Sequence, residues 1–222
     1  MKEIILDTET TGLSVKDGHR IVEIGCIELD NLIPTKKIFH CYLNPERKVS
    51  EDAFKVHGYS DQFLSNKKKF SEIADEFLKF IDNKKIVIHN ADFDIAHLNN
   101  ELLLANKEKI SKNNIVDTLD IARNRFPGSG ISLDALCKRF RIDNSRREKH
   151  TALLDCELLS KVYINLLDQK EPKLNFSNSS NIKKNENNFK SINYSKKVIF
   201  PSADEIKIHK EFMKKNFKRN FY

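Results

Sequence analysis

The sequence is poor in the residues that crosslink small proteins or bind zinc. It has four cysteines in 222 residues, and no two of them form a CxxC pair. Zinc sites and disulfide frameworks use closely or regularly spaced cysteines, so this scatter argues against both. It fits reduced thiols in a cytoplasm, where a cysteine behaves as a small buried hydrophobe. The four residues are Cys26, Cys41, Cys137 and Cys156.

Long apolar runs are also missing. No stretch approaches the ~18 consecutive apolar residues of a membrane-spanning helix. The amino-terminal run MKEIILDTET carries one early lysine and soon becomes acidic. It lacks the apolar core and the small-residue cleavage site of a secretory signal. We therefore expect neither a membrane helix nor a signal peptide.

Net positive charge is absent from most of the chain. The formal net charge is +7, which by itself favours an anionic partner such as nucleic acid. Of the 39 Lys and Arg residues, 26 lie in 1–168 and 13 in 169–222, whereas the 32 Asp and Glu residues divide into 27 and 5. The excess therefore lies in the carboxy-terminal quarter, and modest intrinsic affinity for DNA is expected from residues 1–168.

A change of composition near residue 169 divides the chain. Residues 1–168 have nearly continuous apolar periodicity and are long enough to bury a core. Residues 169–200 are rich in Asn, Ser and Lys and cannot offset chain entropy by burial, so they are predicted to form a flexible linker. Residues 201–222 are predicted to form a short helix that starts near Ser202 and folds on a partner.

The order of predicted elements indicates an α/β fold. Three β-rich runs come first and predict an antiparallel meander, and strands then alternate with helices. This order predicts a mixed sheet flanked by helices. The predicted strands are KEIILDTE, RIVEIGCIELD, KKIFHCYLN, KKIVIHN and NNIVDTL. The longest predicted helices are FSEIADEFLKFID, FDIAHLNNELLLAN and HTALLDCELLSKVYINLL.

Two acidic residues stand at the end of the first predicted strand. Asp7 and Glu9 are two positions apart, so their side chains leave the same face of the strand. Neighbouring buried carboxylates repel each other, and a divalent cation compensates because Mg²⁺ and Mn²⁺ prefer carboxylate oxygens. The alternative is an exposed strand end with solvated acids, and this motif alone leaves both interpretations open.

Two further motifs bear on that choice. In IVIHNADFDIAHL, Asp94 opens a helix after a buried strand, and Asp92 is expected to cap that helix. In HTALLD, His150 and Asp155 stand at the start of the last helix and can face a common site. Taken separately, each motif has a structural alternative, either a helix cap or a polar surface position.

Together, the motifs DTETTGL, HNADFD and HTALLD resemble the three exonuclease motifs of the DEDD superfamily, in its histidine subclass. Longer stretches are similar to the proofreading epsilon subunits of bacterial DNA polymerase III, among them GHRIVEIGCIE, VHGYSDQFL, IVDTLDIARNRFPG and SLDALCKRFRIDNSRREKH. The resemblance extends over residues 2–168. It implies a ribonuclease H-like fold with a five-stranded mixed sheet. It also implies a 3′–5′ exonuclease that releases 5′-mononucleotides.

The resemblance implies a role for each residue of these motifs. Asp7, Glu9, Asp94 and Asp155 correspond to the ligands of two divalent cations, Mg²⁺ or Mn²⁺. Asp7 would bridge the two ions, Glu9 and Asp155 would complete one site, and Asp94 would help to hold the other. His150 would be the general base, because a neutral imidazole can accept the proton of the attacking water near neutral pH.

Contacts with the substrate are implied in the same way. The main chain near Thr8 and Thr10 would meet the terminal 3′ hydroxyl, and Leu13 would wedge against the bases of an unpaired end. His57 matches a position that contacts the terminal nucleotide, and a histidine in a turn is the alternative of equal weight. The whole predicted substrate-binding set is Asp7, Thr8, Glu9, Thr10, Leu13 and His57.

Proofreading subunits act beside a polymerase, so the resemblance gives the carboxy-terminal region a role in assembly. Residues 201–222 are expected to tether the nuclease to the polymerase catalytic (alpha) subunit in a cytoplasmic, nucleoid-associated bacterial replisome. Residues 171–176 loosely resemble a sliding-clamp-binding peptide with Glu where Gln is usual, and a chance pair of hydrophobes is the alternative. A small accessory subunit is a further expected partner, and DNA is the alternative partner of the aromatic carboxy terminus.

Two other functions are compatible with some of the same sequence features. An RNA-trimming 3′–5′ exoribonuclease of the same superfamily would have the same motifs, although such relatives usually lack a long tail. A non-catalytic scaffold would keep the fold, but all five expected site residues are present here. The sequence is therefore interpreted first as a DNA exonuclease that removes mismatched 3′-terminal nucleotides.

Overall fold

The structure, a computed structural model, describes residues 2–167 and 200–216. These fall into two separate compact units, and each is considered by itself. The predicted clamp-binding residues 171–176 and nearly all of the predicted linker lie outside the described residues, so the boundary at residue 168 stays a prediction. Within the two described ranges, no helix combines the length and apolar character needed to cross a membrane.

A five-stranded mixed sheet forms the centre of the first unit. Its strands are β1 (Lys2–Thr10), β2 (Ile21–Asp30), β3 (Ile33–Tyr42), β4 (Lys85–Ile88) and β5 (Ile115–Asp117). The strand order is β3-β2-β1-β4-β5. The β1–β2 and β2–β3 pairs are antiparallel, whereas β1–β4 and β4–β5 are parallel. This confirms the predicted α/β class, the meander and the mixed sheet.

The described residues 2–167 also form seven α-helices around the sheet. They are α1 (Glu51–His57), α2 (Asp61–Ser65), α3 (Phe70–Ile81), α4 (Ala91–Leu104), α5 (Thr118–Arg125), α6 (Leu133–Phe140) and α7 (Ala152–Leu166). The three longest, α3, α4 and α7, confirm the helices predicted from apolar spacing. In α3, the residues Phe70, Ile73, Phe77 and Ile81 form a buried face because they recur every three or four positions.

The central strand β1 is buried on both of its faces. Ile4 and Leu6 belong to the core cluster shared with α3 and α4. Ile5 belongs to the opposite cluster, which contains residues of α5, α6 and α7. Because side chains alternate along a strand, Asp7 and Glu9 follow Ile5 onto the face that α7 covers.

Gly25 on β2 allows α7 to approach the sheet closely. A Cβ atom at this position would lie 2.6 Å from the carbonyl carbon of Ala152, the first residue of α7. The Cys156 Sγ lies 3.2 Å from the carbonyl oxygen of Gly25, at hydrogen-bonding distance. Gly25 pairs with Asp7 in the β1–β2 register. The close approach therefore sets the start of α7 beside the acidic end of β1.

The second unit contains the helix α8 (Ala203–Asn216). Ser202 begins it with reciprocal hydrogen bonds, since its backbone N donates to Glu205 Oε2 at 2.8 Å and the Glu205 N donates to Ser202 Oγ at 3.3 Å. This arrangement is a capping box. The predicted helix start near Ser202 is confirmed.

Candidate active site

The five residues of the predicted catalytic set line one cleft at the end of β1. Asp7 and Glu9 come from β1, Asp94 comes from the first turn of α4, His150 comes from the loop before α7, and Asp155 comes from the first turn of α7. Ligand atoms of Glu9, His150 and Asp155 all lie within 4.8 Å of one another. Residues far apart in sequence thus form one acidic site.

The two strand residues are directed to this cleft by the pleat of β1. Asp7 is opposite Gly25 and Glu9 is opposite Glu23 in the register with β2, and the register shifts between Glu9 and Thr10. Glu9 is 8% exposed and is the more deeply buried of the two. The irregularity ends regular pairing directly after the second carboxylate, as bulges beside functional sites often do.

Asp94 is held against β1 by Thr8. The Thr8 backbone N donates to Asp94 Oδ1 at 3.0 Å, and the Thr8 hydroxyl donates to the same oxygen at 2.6 Å. The Asp94 side chain is buried, so both bonds lie within the protein. One carboxylate oxygen of Asp94 is therefore fixed by protein donors.

The start of α4 differs from the prediction at Asp92. The Asp92 side chain is 97% exposed and lies 3.9 Å from Lys112 Nζ, so the expected cap by Asp92 is wrong. Asn90 precedes the helix with left-handed backbone angles, φ 70° and ψ 56°. Asp117, at the end of β5, accepts hydrogen bonds from the backbone N of Asn90 and of Ala91, each at 3.0 Å. A neighbouring strand therefore supplies the carboxylate that orients the α4 start.

His150 lies just before α7 rather than within it. Its backbone N donates to the carbonyl oxygen of Val56 at 3.2 Å, which ties this loop to α1. The His150 side chain is 45% exposed, whereas that of Asp155, one turn into the helix, is 4% exposed. His150 therefore borders the cleft at its solvent side and Asp155 lies at its base.

Arg147 was missed by the sequence analysis, although it reaches the centre of the site. Its Nε and Nη2 atoms donate to the two carboxylate oxygens of Asp155 at 2.6 and 2.7 Å, and Nη2 lies 2.8 Å from His150 Nδ1. The neighbouring Arg146 pairs with Glu157 and its side chain is 76% exposed. No local pattern in RREKH distinguishes the two arginines, because the difference arises only where the loop meets α7.

Glu23 is a second contributor that the sequence analysis missed. Its side chain is fully buried on β2 and accepts hydrogen bonds from Tyr59 Oη at 2.8 Å and from the Ala152 backbone N at 2.9 Å. His40 Nε2 lies 2.7 Å from its other oxygen. One carboxylate therefore joins β2, β3, the loop after α1 and the first residue of α7.

The protein raises the pKa of three of the acids. Desolvation by burial, followed by the charge of Asp155, raises the pKa of Glu9 to about 8. Burial raises the pKa of Asp94 to about 7 against the hydrogen bonds from Thr8. Burial and the charge of Asp94 raise the pKa of Asp7 in the same direction. The site thus holds more negative charge than its surroundings compensate.

Asp155 behaves differently because Arg147 and His150 lie against it. Burial alone would raise its pKa, but these two neighbouring side chains outweigh burial and lower it. Converging carboxylate oxygens suit a hard divalent cation. The residues present therefore fit a divalent metal centre.

A second cleft adjoins the acidic one. The two share Thr8, Glu9 and Phe93, and the second also contains Thr10, Leu13 and His57. Leu13 is 85% exposed, which leaves an apolar side chain at the rim. The whole predicted substrate-binding set therefore lines one or the other of these adjoining clefts.

His57 shows features of both interpretations proposed for it. Its Nδ1 accepts a hydrogen bond from the Tyr59 backbone N at 3.0 Å, so Nε2 is the atom that donates to the Thr10 carbonyl oxygen at 3.2 Å. Nδ1 thus stabilises the turn after α1, Nε2 joins that turn to the end of β1, and the ring is buried. The same ring lines the second cleft.

Comparison with known proteins agrees with this architecture. The chain matches the exonuclease family over residues 4–163. It is 47% identical over 220 residues to the DNA polymerase III subunit epsilon of Rickettsia felis, with 96% of each chain covered. It is also 47% identical over 171 residues to the DNA polymerase III subunit epsilon of Escherichia coli, covering 73% of this chain and 70% of that protein.

Two solved structures share the fold. The nuclease domain of 3′hExo, a DEDDh family member bound to rAMP, has a TM-score of 0.66 and 15% identity, covering 76% of this chain and 92% of that chain. Exonuclease X in complex with 5′ overhanging duplex DNA has a TM-score of 0.59 and 23% identity, covering 75% and 92%. At these identities the likeness concerns the fold, and it confirms the predicted ribonuclease H-like architecture.

The family match covers most of the chain, and the match to the Rickettsia felis protein covers nearly all of it. Exonucleases of the DEDDh type depend on divalent metal ions, in keeping with the acidic centre described above. The chain therefore belongs to the exonuclease family, as a DEDDh-type 3′–5′ exonuclease of the DNA polymerase III epsilon group.

Proposed function

We propose that this protein removes mismatched 3′-terminal nucleotides from DNA by two-metal-ion hydrolysis, as the proofreading subunit of a bacterial replicative polymerase. The observation that carries the proposal is the convergence of Asp7, Glu9, Asp94, His150 and Asp155 on one cleft. A second cleft with an apolar rim adjoins it and has room for a terminal nucleotide.

The four carboxylates would hold two divalent cations, Mg²⁺ or Mn²⁺. Asp7 lies near three other acids, since Asp94, Glu9 and Asp155 each raise its pKa, and it is the best candidate for a shared ligand. When bound, such ions neutralise the carboxylates, activate water and relieve charge on the leaving 3′ oxygen. Protein donors already occupy one oxygen of Asp94, so its other oxygen is the one available to a cation.

His150 is proposed as the general base. Its partly exposed ring lies close to Glu9 and Asp155 on the solvent side of the cleft, where a water molecule can enter. The imidazole takes the proton of the attacking water, and the cleaved bond releases a 5′-mononucleotide. The loop that carries His150 is bonded to α1 at Val56, so the base is fixed to a wall of the second cleft.

The second cleft is proposed to bind the 3′ end of the strand. The main chain of Thr8 to Thr10 lies between the two clefts and would meet the terminal hydroxyl. Leu13 and Phe93 offer apolar surface to an unpaired base, which stacks there more easily than a base held in a duplex. A frayed, mismatched end is therefore the favoured substrate.

Association with a polymerase is proposed from the names of the relatives, which are subunits of DNA polymerase III. In the second unit, α8 is a helix with Ile206 and Ile208 at 42% and 67% exposure, which suits contact with a protein surface. We propose that residues 201–222 bind the polymerase catalytic subunit. Residues 171–176 are a candidate for the sliding clamp, and a small accessory subunit is a further proposed partner at the bacterial nucleoid.

The catalytic proposal is tested with a 3′-mismatched primer and Mg²⁺. The wild type should release 5′-mononucleotides, and Asp7→Ala should lower the rate at least ~10³-fold because a shared metal ligand is lost. Asp92→Ala is the matched control, because Asp92 is an exposed acid near the same cleft and should leave the rate unchanged. Full activity in Asp7→Ala would refute the assignment. Faster cleavage of single-stranded RNA than of DNA would instead support the exoribonuclease alternative.

A further inference from the structure

Arg147 places a permanent positive charge inside the acidic site. Its side chain is 7% exposed, and it reaches the cleft from the loop before α7. A guanidinium stays protonated at any pH at which the protein is folded. The proposed catalytic roles give this residue no task, although it contacts two of the five proposed catalytic residues.

The contact with Asp155 is the strongest kind of ion pair that a protein makes. Two parallel N–H donors of Arg147 face the two carboxylate oxygens, at 2.6 and 2.7 Å. Such two-pronged pairs combine charge with fixed geometry. Both oxygens of Asp155 thereby face a cation from the same chain. A divalent ion at Asp155 would be repelled by that charge, so Arg147 and the ion compete for one carboxylate.

The contact with His150 has a related effect. A guanidinium has no acceptor atom, so His150 Nδ1 must accept the hydrogen bond from Arg147 Nη2, at 2.8 Å. The neutral ring then carries its proton on Nε2 and has no free lone pair for the proton of water. While Arg147 keeps this position, it holds both Asp155 and the proposed base in a non-reacting arrangement.

Arg147 also has a second carboxylate outside the proposed metal ligands. Its Nη1 lies 2.8 Å from Asp134 Oδ2, and the Asp134 side chain is 56% exposed. The other oxygen of Asp134 accepts from Asn144 Nδ2 at 2.9 Å, which fixes its orientation. Arg147 can thus retain one ionic partner after giving up Asp155.

We propose that Arg147 is an internal counter-ion that alternates with the divalent cation at Asp155. Without metal it compensates the acidic centre and keeps the protein folded. When metal binds, Asp155 exchanges the guanidinium for the ion, and Arg147 keeps Asp134. The inference rests on the proposed function, because it assumes that Asp155 is a metal ligand.

The test is Mn²⁺ binding to the full chain by calorimetry, with the melting temperature measured separately in EDTA. Arg147→Met removes the charge at similar volume. It should bind Mn²⁺ about 10- to 100-fold more tightly, since a charge-assisted pair no longer competes. Its metal-stripped form should melt roughly 3–8 °C below the wild type. Arg146→Met is the matched control and should change neither value, because Arg146 is exposed.

Weaker rather than tighter Mn²⁺ binding by Arg147→Met would overturn the inference. If Arg147 only orients Asp155 as a ligand, Arg147→Met should bind Mn²⁺ about 10- to 100-fold more weakly. Should Arg147→Met fail to fold, Arg147→Lys keeps the charge but cannot form the two-pronged pair, and it should still bind Mn²⁺ more tightly than the wild type. Equal or weaker binding by that variant would also refute the inference. Absence of Mn²⁺ binding in the wild type would refute the proposed metal centre itself.

Discussion

At the scale of the residue, the acids of the cleft are held in an unfavourable environment. Glu9 and Asp94 are buried beside other carboxylates, and each has a raised pKa. Surrounding hydrogen bonds only partly compensate, since Asp94 keeps a raised pKa despite two bonds from Thr8. Charge accumulation of this kind is typical of sites that bind a cation.

The raised pKa values predict how stability depends on pH. Ordinary values are 4.5 for Glu9 and 3.8 for Asp94, and the folded protein raises them to about 8 and about 7. Between these values the folded state binds more protons than the unfolded state, so stability falls as pH rises. The lowered pKa values of four buried or partly buried histidines act in the opposite direction below about pH 6.5. In EDTA, the melting temperature should therefore decrease from pH 7 to pH 8.5.

Thermal melts across that pH range check the prediction, and saturating Mn²⁺ serves as the control. Bound Mn²⁺ should remove most of the decrease, because a cation stabilises the same carboxylates in their charged form. A melting temperature in EDTA that rises steadily to pH 8.5 would contradict the raised pKa values.

At the scale of the element, the junction of β1, β2 and α7 determines the geometry of the site. Gly25 lies at the point of closest approach, and Glu23 accepts the hydrogen bond of the first amide of α7. Both residues act from β2, a strand that contributes no proposed metal ligand. The position of Asp155 relative to Asp7 therefore depends on a neighbouring strand.

Gly25→Ala should displace α7. The added Cβ would lie within 2.7 Å of three backbone atoms of Ala152 and Leu153, which cannot rotate away. We expect a loss of about 1–3 kcal/mol in the free energy of unfolding, measured by urea denaturation. Exonuclease activity should fall about 10²-fold, because a shift of ~1 Å misaligns the acids.

Gly130→Ala provides the control for this substitution. Its added Cβ would lie 3.4 Å from the Ala135 side chain, at the limit of ordinary contact, and Gly130 is outside the acidic cleft. Both its stability and its activity should stay close to the wild type. Wild-type activity in Gly25→Ala would show that the close approach of α7 is dispensable.

Periodicity made much of the fold predictable, because it reports burial directly. The uninterrupted apolar run Ile4, Ile5 and Leu6 predicts a buried strand, and its members pack on both faces of β1. The two-residue spacing of Asp7 and Glu9 places both on the same face. The apolar spacing of α3 likewise predicts its buried face. Local patterns of this kind need no knowledge of distant partners.

Contacts across long sequence separations were not predictable in this way. Arg147 and Arg146 are adjacent and chemically identical, yet one is buried in the site and the other is exposed. Asp117 replaces the expected Asp92 at the α4 start because β5 ends beside that helix. These contacts form only when the sheet and helices have assembled, and no local sequence pattern indicates them.

At the scale of the whole molecule, the excess positive charge and the proposed catalytic residues lie in different regions of the chain. Residues 1–168 carry 26 basic and 27 acidic residues, whereas residues 169–222 carry 13 and 5. A nearly neutral nuclease domain has little long-range attraction for DNA. The proposed tether to a polymerase would supply the local concentration of DNA ends that the domain lacks.

Truncation separates these two contributions. A chain of residues 1–168 should degrade single-stranded DNA at a rate near that of the full chain, because α7 and both clefts lie within it. The same truncation should lose capture of the polymerase catalytic subunit in a pulldown. Equal capture of the two forms would refute the tether. Loss of nuclease activity on truncation would instead assign the tail a part in the site.

The place of β1 in the sheet has a consequence for synthesis of the protein. β1 is synthesised before both of its neighbours in the sheet, β2 and β4, and the helix that carries Asp155 follows all five strands in the chain. A partly translated chain therefore contains Asp7 and Glu9 before Asp155 exists. If these acids hold the metal ions as proposed, phosphodiester cleavage would begin only after α7 has been made, so an unfinished chain would have no nuclease activity.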